Sequence, residues 1–395
     1  MSIELNKGQI YACYDLENWW HNSTKQLIEI EGAAGTGKTT MIIYFIEKIG
    51  LELSEVLFVS YMGKAVSQMI RNGLPAKTIH SACYDCVKKI ARDEDGKIIF
   101  LPNGKPKTYL DFELKEKIPG KPKLIVIDEA RMVPEKNALD LLSFGIPIIA
   151  LGDTNQLPPV FGKPFFLESP DIWLTEIMRQ KEGDPIIYLS QQILHHEKLR
   201  PCVLGKSCVI ERKYFTREQM IDSDIIITAS NKLRGAINDL FRENILSLKT
   251  LDYPNFGEKI ICRRNNWSRY VKDKGEIYLT NGLAGFVDGV NKSSYNGKSM
   301  KIDFRPDFTG RVFHDLKINL EYINTSPGDN RDIFIGNDMN AFEYAYAISC
   351  HLSQGSQYDR VTLLQEKQIA RDEDYFTKLM YTGITRARDA IRIVI

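Results

Sequence analysis

Glycines at 32, 35 and 37, followed directly by Lys38 and Thr39, complete the pattern G-x-x-x-x-G-K-[ST] inside IEGAAGTGKTTM, Ile30 to Met41. Glycine lets the backbone turn so that successive N–H groups face an anion without side-chain obstruction. In such a loop the lysine reaches the β- and γ-phosphates of a nucleoside triphosphate, and the threonine hydroxyl holds Mg²⁺. Hydrolysis there also needs a carboxylate for the metal and a group that orients or deprotonates the attacking water. LIVIDEA supplies both at the end of an apolar run, Asp128 for the metal and Glu129 for the water. GDTNQLPPV places Gln156 where an amide can sense the γ-phosphate or the water, and Pro158-Pro159 stiffens the turn that presents it. Arg179 in LTEIMRQ, and Arg386 with Arg388 in YTGITRARDA, offer guanidinium donors to charge developing at the γ-phosphate. Any single arginine is more often a solvated surface residue. The set together points to triphosphate hydrolysis.

Elements must hold these residues in place. QLIEIE before the loop suits a strand, and KTTMIIYFIEKI after it has helix-forming length, which sets the phosphates at a helix N-terminus. Apolar runs at 56–60, 124–128 and 148–153 read as buried parallel strands, and a second series follows at 224–230, 360–365 and 390–395. Their alternation with helical segments predicts α/β sheets. Residues 255–340 differ: they are rich in Gly, Asn and Asp, with short alternating stretches and turn signals at Asn281-Gly282 and Asn296-Gly297. They read as a small all-β insertion in the second α/β unit. Within the first unit, 93–110 carries Asp95-Gly96 and Asn103-Gly104 around an apolar run. That spells either a projecting β-hairpin or an ordinary surface excursion.

The chain has 395 residues, 43% apolar and 26% charged, enough for two or three domains with a sizeable core. A net charge of +1 leaves no global basic field, so nucleic acid would need a local groove. RRNNWSRY, 263–270, has the composition of a strand-binding edge, Arg263, Arg264 and Arg269 interleaved with Trp267 and Tyr270; it could equally be the exposed face of the β insertion. No stretch has the length and purity of a membrane span, and MSIELNKGQI is not a signal peptide. Seven scattered cysteines suit a reducing cytoplasm, and Cys83 with Cys86 makes only half of a zinc spacing.

Taken in order, the motifs resemble those of helicase superfamily 1, B subgroup, the RecD/Dda-like helicases. ELNKGQIYA resembles the adenine-reading element; GAAGTGKTT is similar to motif I, FVSYMGKAV to Ia, KTIHSAC to Ib, IDEA to II, GDTNQLPPV to III, LTEIMRQ to IV, AISCHLSQGSQYDRV to V and LMYTGITRARDAI to VI. The resemblance spans nearly the whole chain. It implies two RecA-like P-loop NTPase domains with parallel sheets: 1–175, including a hairpin excursion at 84–120, and 176–254 with 341–395. A small all-β, SH3-like insertion at 255–340 interrupts the second.

The implied activity is ATP-dependent movement, 5′ to 3′, on single-stranded DNA with unwinding of duplex forks. It would belong to a monomer in the cytoplasm of a bacterium or phage-infected cell, with replication or recombination proteins as partners. ATP would lie between the domains, held by Gln9, Gly32, Gly35, Gly37, Lys38, Thr39, Thr40, Gln354 and Gly355, with Mg²⁺ on Thr39 and Asp128. Catalysis would fall to Lys38, Asp128, Glu129, Gln156, Arg179 and Arg386. Lys64, Thr78, His80, Ser349 and His351 would contact the strand.

Three departures from the family pattern stand out: Tyr61-Met62 replaces Pro-Thr, Leu352 replaces a lysine and Arg131 replaces a serine. Tyr61 then offers a base-stacking surface, and Leu352 removes one contact to phosphate. Phe100, in the apolar run of the hairpin, is suited to stack on the first unpaired base. Two rival activities share much of this chemistry: an ATP-gated strand clamp without unwinding, and a P-loop kinase. The kinase has no use for Gln156 or the last two motifs.

Overall fold

The computed structural model describes residues 5–395 except 94, 101–103, 105, 107, 160–162, 177–183, 249–251, 274–275 and 337. Its first sheet contains β1 (Leu27–Gly32), β2 (Val56–Ser60) and β3 (Ala76–Thr78); a hairpin of β4 (Tyr84–Ile90) and β5 (Thr108–Leu114) then leaves it, and β6 (Leu124–Asp128), β7 (Ile148–Gly152) and β8 (Ile172–Leu174) complete it. The order is β3-β2-β6-β7-β1-β8, and every pairing is parallel. Strands β2 and β7 are buried at every residue, and β6 at every residue but its last, Asp128. A sheet covered on both faces requires such unbroken apolar runs.

The covering helices include α1 (Lys7–Asn22), α2 (Lys38–Lys48), α3 (Gly63–Arg71) and α4 (Ile79–Cys83). Leu16, Trp19, Phe45 and Ile46 from α1 and α2 pack with Ile30 and Phe58 in one apolar cluster. Ile79, Ile125, Ile127, Leu141 and Phe166 form another. Helix α1 starts with a reciprocal cap: Asn6 Oδ1 accepts the Gln9 N–H at 2.7 Å, and Gln9 Oε1 accepts the Asn6 N–H at 3.0 Å.

The second sheet draws on β9 (Cys202–Leu204), β10 (Ser207–Ile210) and β11 (Ile225–Thr228) before the chain leaves for another region. That region holds β12 (Lys259–Cys262), β13 (Asn266–Lys272), β14 (Glu276–Leu279), β15 (Ala284–Asn291), β16 (Ser299–Pro306), β17 (Phe313–Asn319) and β18 (Phe342–Tyr344). The chain returns as β19 (Ala347–Ser349), β20 (Tyr358–Leu364) and β21 (Ala387–Val394). The order β19-β11-β20-β21-β10-β9 is parallel except where β9 pairs with β10.

The intervening strands make an antiparallel sheet, β17-β16-β15-β12-β18, and a separate ribbon, β13-β14. A bridge from Ile318 to Asn340 brings the two edges of the antiparallel sheet together. Strand β18 lies just past the range read as the β insertion. Ion pairs tie the insertion to the α/β unit that carries it. Glu343 on β18 meets Arg234 at 3.1 Å and Arg263 at 3.2 Å, and Arg242 meets Glu258 at 2.8 Å.

The hairpin is built from its base. Strands β4 and β5 pair from Tyr84↔Leu114 to Ile90↔Thr108, and bridges Arg92↔Ile98 and Phe100↔Pro106 extend the structure outward. Gly96 takes φ 81°, as the Asp-Gly turn requires, while Asn103 of the second turn signal lies outside the described residues. Among the described residues no helix is long and apolar enough to cross a membrane.

Candidate active site

The phosphate loop leaves β1 and enters α2, as the sequence requires. Gly35 and Gly37 have φ of 87° and 75°, backbone that a side chain would strain. Their loop lines a cavity of about 430 Å³ between the first and second sheets. Gln9, Gly35, Gly37, Lys38, Thr39, Thr40, Asp128, Glu129, Gln156, Gly355 and Arg386 all border it. Gly32 is buried at the end of β1. A larger cavity, about 740 Å³ and lined in part by Ile193, His196, Arg212 and Phe376, holds none of the expected residues.

The side chains are already held by specific partners. The Lys38 ammonium donates to the Gly32 carbonyl and, at 3.2 Å, to that of Ala33. Gln9 is buried with its amide engaged, its Nε2 donating to Thr36 O at 3.0 Å. It therefore fixes the loop against α1 as well as bordering the cavity. Asp128 Oδ1 accepts the Glu129 N–H at 3.0 Å, and Glu129 sits in the left-handed region at φ 53°, ψ 44°. A non-glycine residue held there stores strain, a recurrent mark of functional positions. Burial raises the pKa of both carboxyls; for Glu129 the value is pushed up to about 7, with the Asp128 charge as second cause.

Arg386 reaches the cavity from just beyond the helix Glu373–Ile384 of the second α/β unit. Its Nε donates to Thr382 O at 3.0 Å and its Nη2 to Thr385 Oγ1 at 3.2 Å. Arg388 instead pairs with Asp359 at 2.8 Å, away from the cavity lining. Arg179 lies outside the described residues.

Several polar groups that the sequence reading passed over hold the loop after β7. Gln156 Nε2 donates to Asp153 Oδ2 at 3.2 Å, and so does the Tyr381 hydroxyl, at 2.9 Å. The same hydroxyl accepts the Ala34 N–H at 3.2 Å. Glu31 Oε1 accepts both the Thr154 N–H, at 2.7 Å, and its hydroxyl, at 2.9 Å, and Arg131 donates to the Thr154 carbonyl. The arginine that replaces the family serine thus braces this loop. Gln354 Nε2 donates to Leu157 O at 2.9 Å, and Thr382 Oγ1 accepts the Leu157 N–H at 2.9 Å.

The expected strand residues are divided by the fold. Thr78 caps α4 by accepting the Ser81 N–H, and Ser349 caps the turn Cys350–Ser353 by accepting the Leu352 N–H. Lys64 borders a small pocket of about 40 Å³ that Arg71 and Asp307 also line. It is buried, and its ammonium donates to the Leu352 carbonyl at 2.6 Å. Leu352 itself packs against the apolar core of the second sheet. Gly355 is required by close approach: a Cβ there would stand 3.1 Å from Ala65 N.

His80 lies among Tyr61, Tyr84 and Phe112, with ring centroids 5.2–5.5 Å from its own. Phe112 continues the aromatic series to Trp267, at 6.3 Å, and Trp267 to Tyr278, at 5.8 Å. Ribbon β13-β14 therefore docks on the base of the hairpin. Within 263–270, Arg263 is tied to Glu343 and Arg264 donates to Ile335 O, whereas Arg269 is exposed. His351 is half-buried beside Tyr375, and Phe100 is 59% exposed at the outer part of the hairpin.

Comparison with known proteins finds likenesses to helicases. A profile of an AAA domain matches residues 19–162, and one of the UvrD-like helicase C-terminal domain matches 344–394. The ATP-dependent RecD2 DNA helicase of Deinococcus radiodurans is 24% identical over 92% of this chain and 46% of its own. The RecBCD enzyme subunit RecD of Buchnera aphidicola is 24% identical over 93% of this chain and 70% of its own. The chain thus spans about half the length of the first of these relatives. In fold it is similar to the Bacteroides Pif1 helicase solved with ADP-AlF3 and ssDNA, with a TM-score of 0.55 and 17% identity over 99% of this chain and 92% of that one. With two RecA-like sheets and the ordered motifs on their strand ends, the chain is similar to RecD- and Pif1-like helicases of superfamily 1.

Proposed function

We propose that this protein is an ATP-driven motor that moves 5′ to 3′ along single-stranded DNA and opens the duplex ahead. The observation that carries the reading is the cavity itself. Lys38, Asp128, Glu129 and Gln156 enter it from the first sheet, and Arg386 enters from the second. A group bound there would contact both α/β units at once.

The residues fit a nucleotide and Mg²⁺. Among the described residues, the Lys38 ammonium donates to carbonyls of its own loop alone, and Gln156 Oε1 is buried without a partner. No cluster of three or more His, Cys, Asp or Glu that could hold a metal alone occurs among the described residues. Thr39 and Asp128 with phosphate oxygens make the sparse oxygen set that Mg²⁺ takes at such loops. The ion, when bound, neutralises phosphate charge. Lys38 and the loop amides bind the β- and γ-phosphates; Gln156 orients the water and Glu129 accepts its proton; Arg386 donates to the γ-phosphate as charge develops. A Glu129 carboxyl with a raised pKa is a better base than an exposed one.

Support for strand binding comes from matching edges of the two sheets. Edge strand β3 runs into a turn of helix capped by Thr78 and bearing His80; edge strand β19 runs into one capped by Ser349 and bearing His351. Equivalent grips on units that open and close would turn hydrolysis into steps. Tyr61, His80 and Trp267 supply the stacking faces that single strands favour without regard to base.

The deciding experiment measures ATP turnover with and without single-stranded DNA, paired with unwinding of forks bearing 5′ or 3′ tails. Stimulated turnover with opening of 5′-tailed forks alone is expected. Turnover indifferent to DNA would overturn the reading, and stimulation without strand separation would make the protein a clamp.

A further inference from the structure

Resting on the reading of triphosphate hydrolysis, we propose that the Tyr381 hydroxyl is a positioning group for that reaction. It joins the phosphate loop and the loop bearing Gln156 to the helix that presents Arg386.

Tyr381 lies inside the helix Glu373–Ile384 and is 1% exposed, a position where a ring suffices for packing. A buried hydroxyl costs free energy unless it is bonded. Both bonds that satisfy this one go to the other α/β unit: it accepts the Ala34 N–H at 3.2 Å and donates to Asp153 Oδ2 at 2.9 Å. The same carboxylate oxygen accepts Gln156 Nε2 at 3.2 Å. A single atom is therefore in contact with an amide of the phosphate loop and with the carboxylate that orients Gln156. Burial raises the phenol pKa well above its ordinary value, so the proton donated to Asp153 stays in place at neutral pH.

The neighbouring bonds act in the same sense. Thr382 and Gln354, both from the second unit, hold Leu157 by its N–H and its carbonyl, each at 2.9 Å. The loop 153–157 is thus fixed at both ends by the unit that moves. Beyond the same helix, Arg386 takes its orientation from Thr382 O at 3.0 Å. Closure that seats Arg386 also seats Gln156. Separation of the units breaks the bonds of Tyr381, Thr382 and Gln354 to the first unit and withdraws Arg386 from the shared cavity.

Tyr381→Phe keeps the ring and removes only the joint. Strand-stimulated kcat is expected to fall roughly tenfold or more while KM for ATP changes less than about threefold, because positioning acts in the transition state. Exchange of the Ala34 amide hydrogen should quicken in the same variant, a readout that needs no turnover. In a cycle with Asp153→Ala, the second substitution should cost much less on top of the first than alone. Parental kcat in Tyr381→Phe, unchanged Ala34 exchange, or fully additive losses would each overturn the proposal. So would a matched loss of kcat and ATP affinity, which marks a merely structural role. If the parent hydrolyses ATP and Lys38→Ala does not, failure of Tyr381→Phe to respond counts against this joint alone. A parent without turnover counts against the wider reading instead.

Discussion

Lys38 reaches back to carbonyls of its own loop and is only partly exposed, so its ammonium contributes little to the apolar core. Lys38→Ala should therefore abolish ATP turnover and leave thermal unfolding nearly where it was; undiminished strand-stimulated turnover would refute the assignment. Arg386 is a different kind of cation. It is 3% exposed, held by Thr382 and Thr385, and borders the cavity that the phosphate loop lines. Arg386→Ala should lower kcat by roughly 10³-fold or more, with a much smaller loss of nucleotide affinity. Loss of nucleotide affinity with kcat unchanged would mean that the guanidinium only binds. These residues were legible because phosphate chemistry permits few alternatives to a lysine in a glycine-rich loop or acids at a strand tip. Tyr381 was not, because a tyrosine in a helical apolar pattern reads as packing, and only the fold reveals where its hydroxyl ends. Lys64, which the resemblance sets on the strand, has surroundings that no local pattern reveals: Gly282 abuts its stem and the Leu352 carbonyl takes its ammonium.

Among the elements, the parallel strands were the easiest to foresee, since burial on both faces leaves no polar position to blur the pattern. The hairpin was harder. Its turn signals were visible, but its paired base, Tyr84–Ile90 with Thr108–Leu114, alternates between solvent and neighbouring side chains and carries charges throughout. What makes that base rigid is tertiary: Tyr84 donates to Asp140 at 2.6 Å and accepts from Asn137 at 2.8 Å, and Phe112 meets Trp267 edge-on. The outer part, with Phe100 largely exposed, can therefore be removed without disturbing the anchor. Replacement of 97–108 by a short Gly-Ser turn should leave strand-stimulated ATPase nearly intact while unwinding of 5′-tailed forks collapses. An aromatic contact of ~1–3 kcal/mol with the first unpaired base would offset part of the unstacking cost, and the shortened protein would lack it. Unwinding at the parental rate would pass the role of wedge to the β insertion.

At the scale of the molecule, the helix α3 is where three parts meet: a Cβ on Gly63 would collide with Thr280 of the insertion, Gly282 abuts the Lys64 stem, and the Lys64 ammonium reaches the Leu352 carbonyl at 2.6 Å. Sequence alone does not reveal this junction, because each contact joins residues far apart in the chain. Leu352, where the family pattern has a lysine, packs on the second core, and Leu352→Lys should disrupt that packing rather than tighten strand binding. The junction can be read through pH. Burial lowers the Lys64 pKa from 10.5 to about 8; the Asp307 charge opposes the shift and Arg263 adds to it. Between those values the unfolded chain keeps a proton that the folded one has released, so the unfolded state binds more protons and stability rises with pH. The penalty for a buried charge is complete below about 8 and is relieved above it. Lys64→Met has no such group. Between about pH 7.5 and about pH 9.5, parental stability in denaturant should therefore gain on that of the variant by roughly 1–2 kcal/mol. A difference that stays constant with pH would mean that Lys64 is solvated, and hence that the two α/β units stand apart in solution until nucleotide or DNA draws them together.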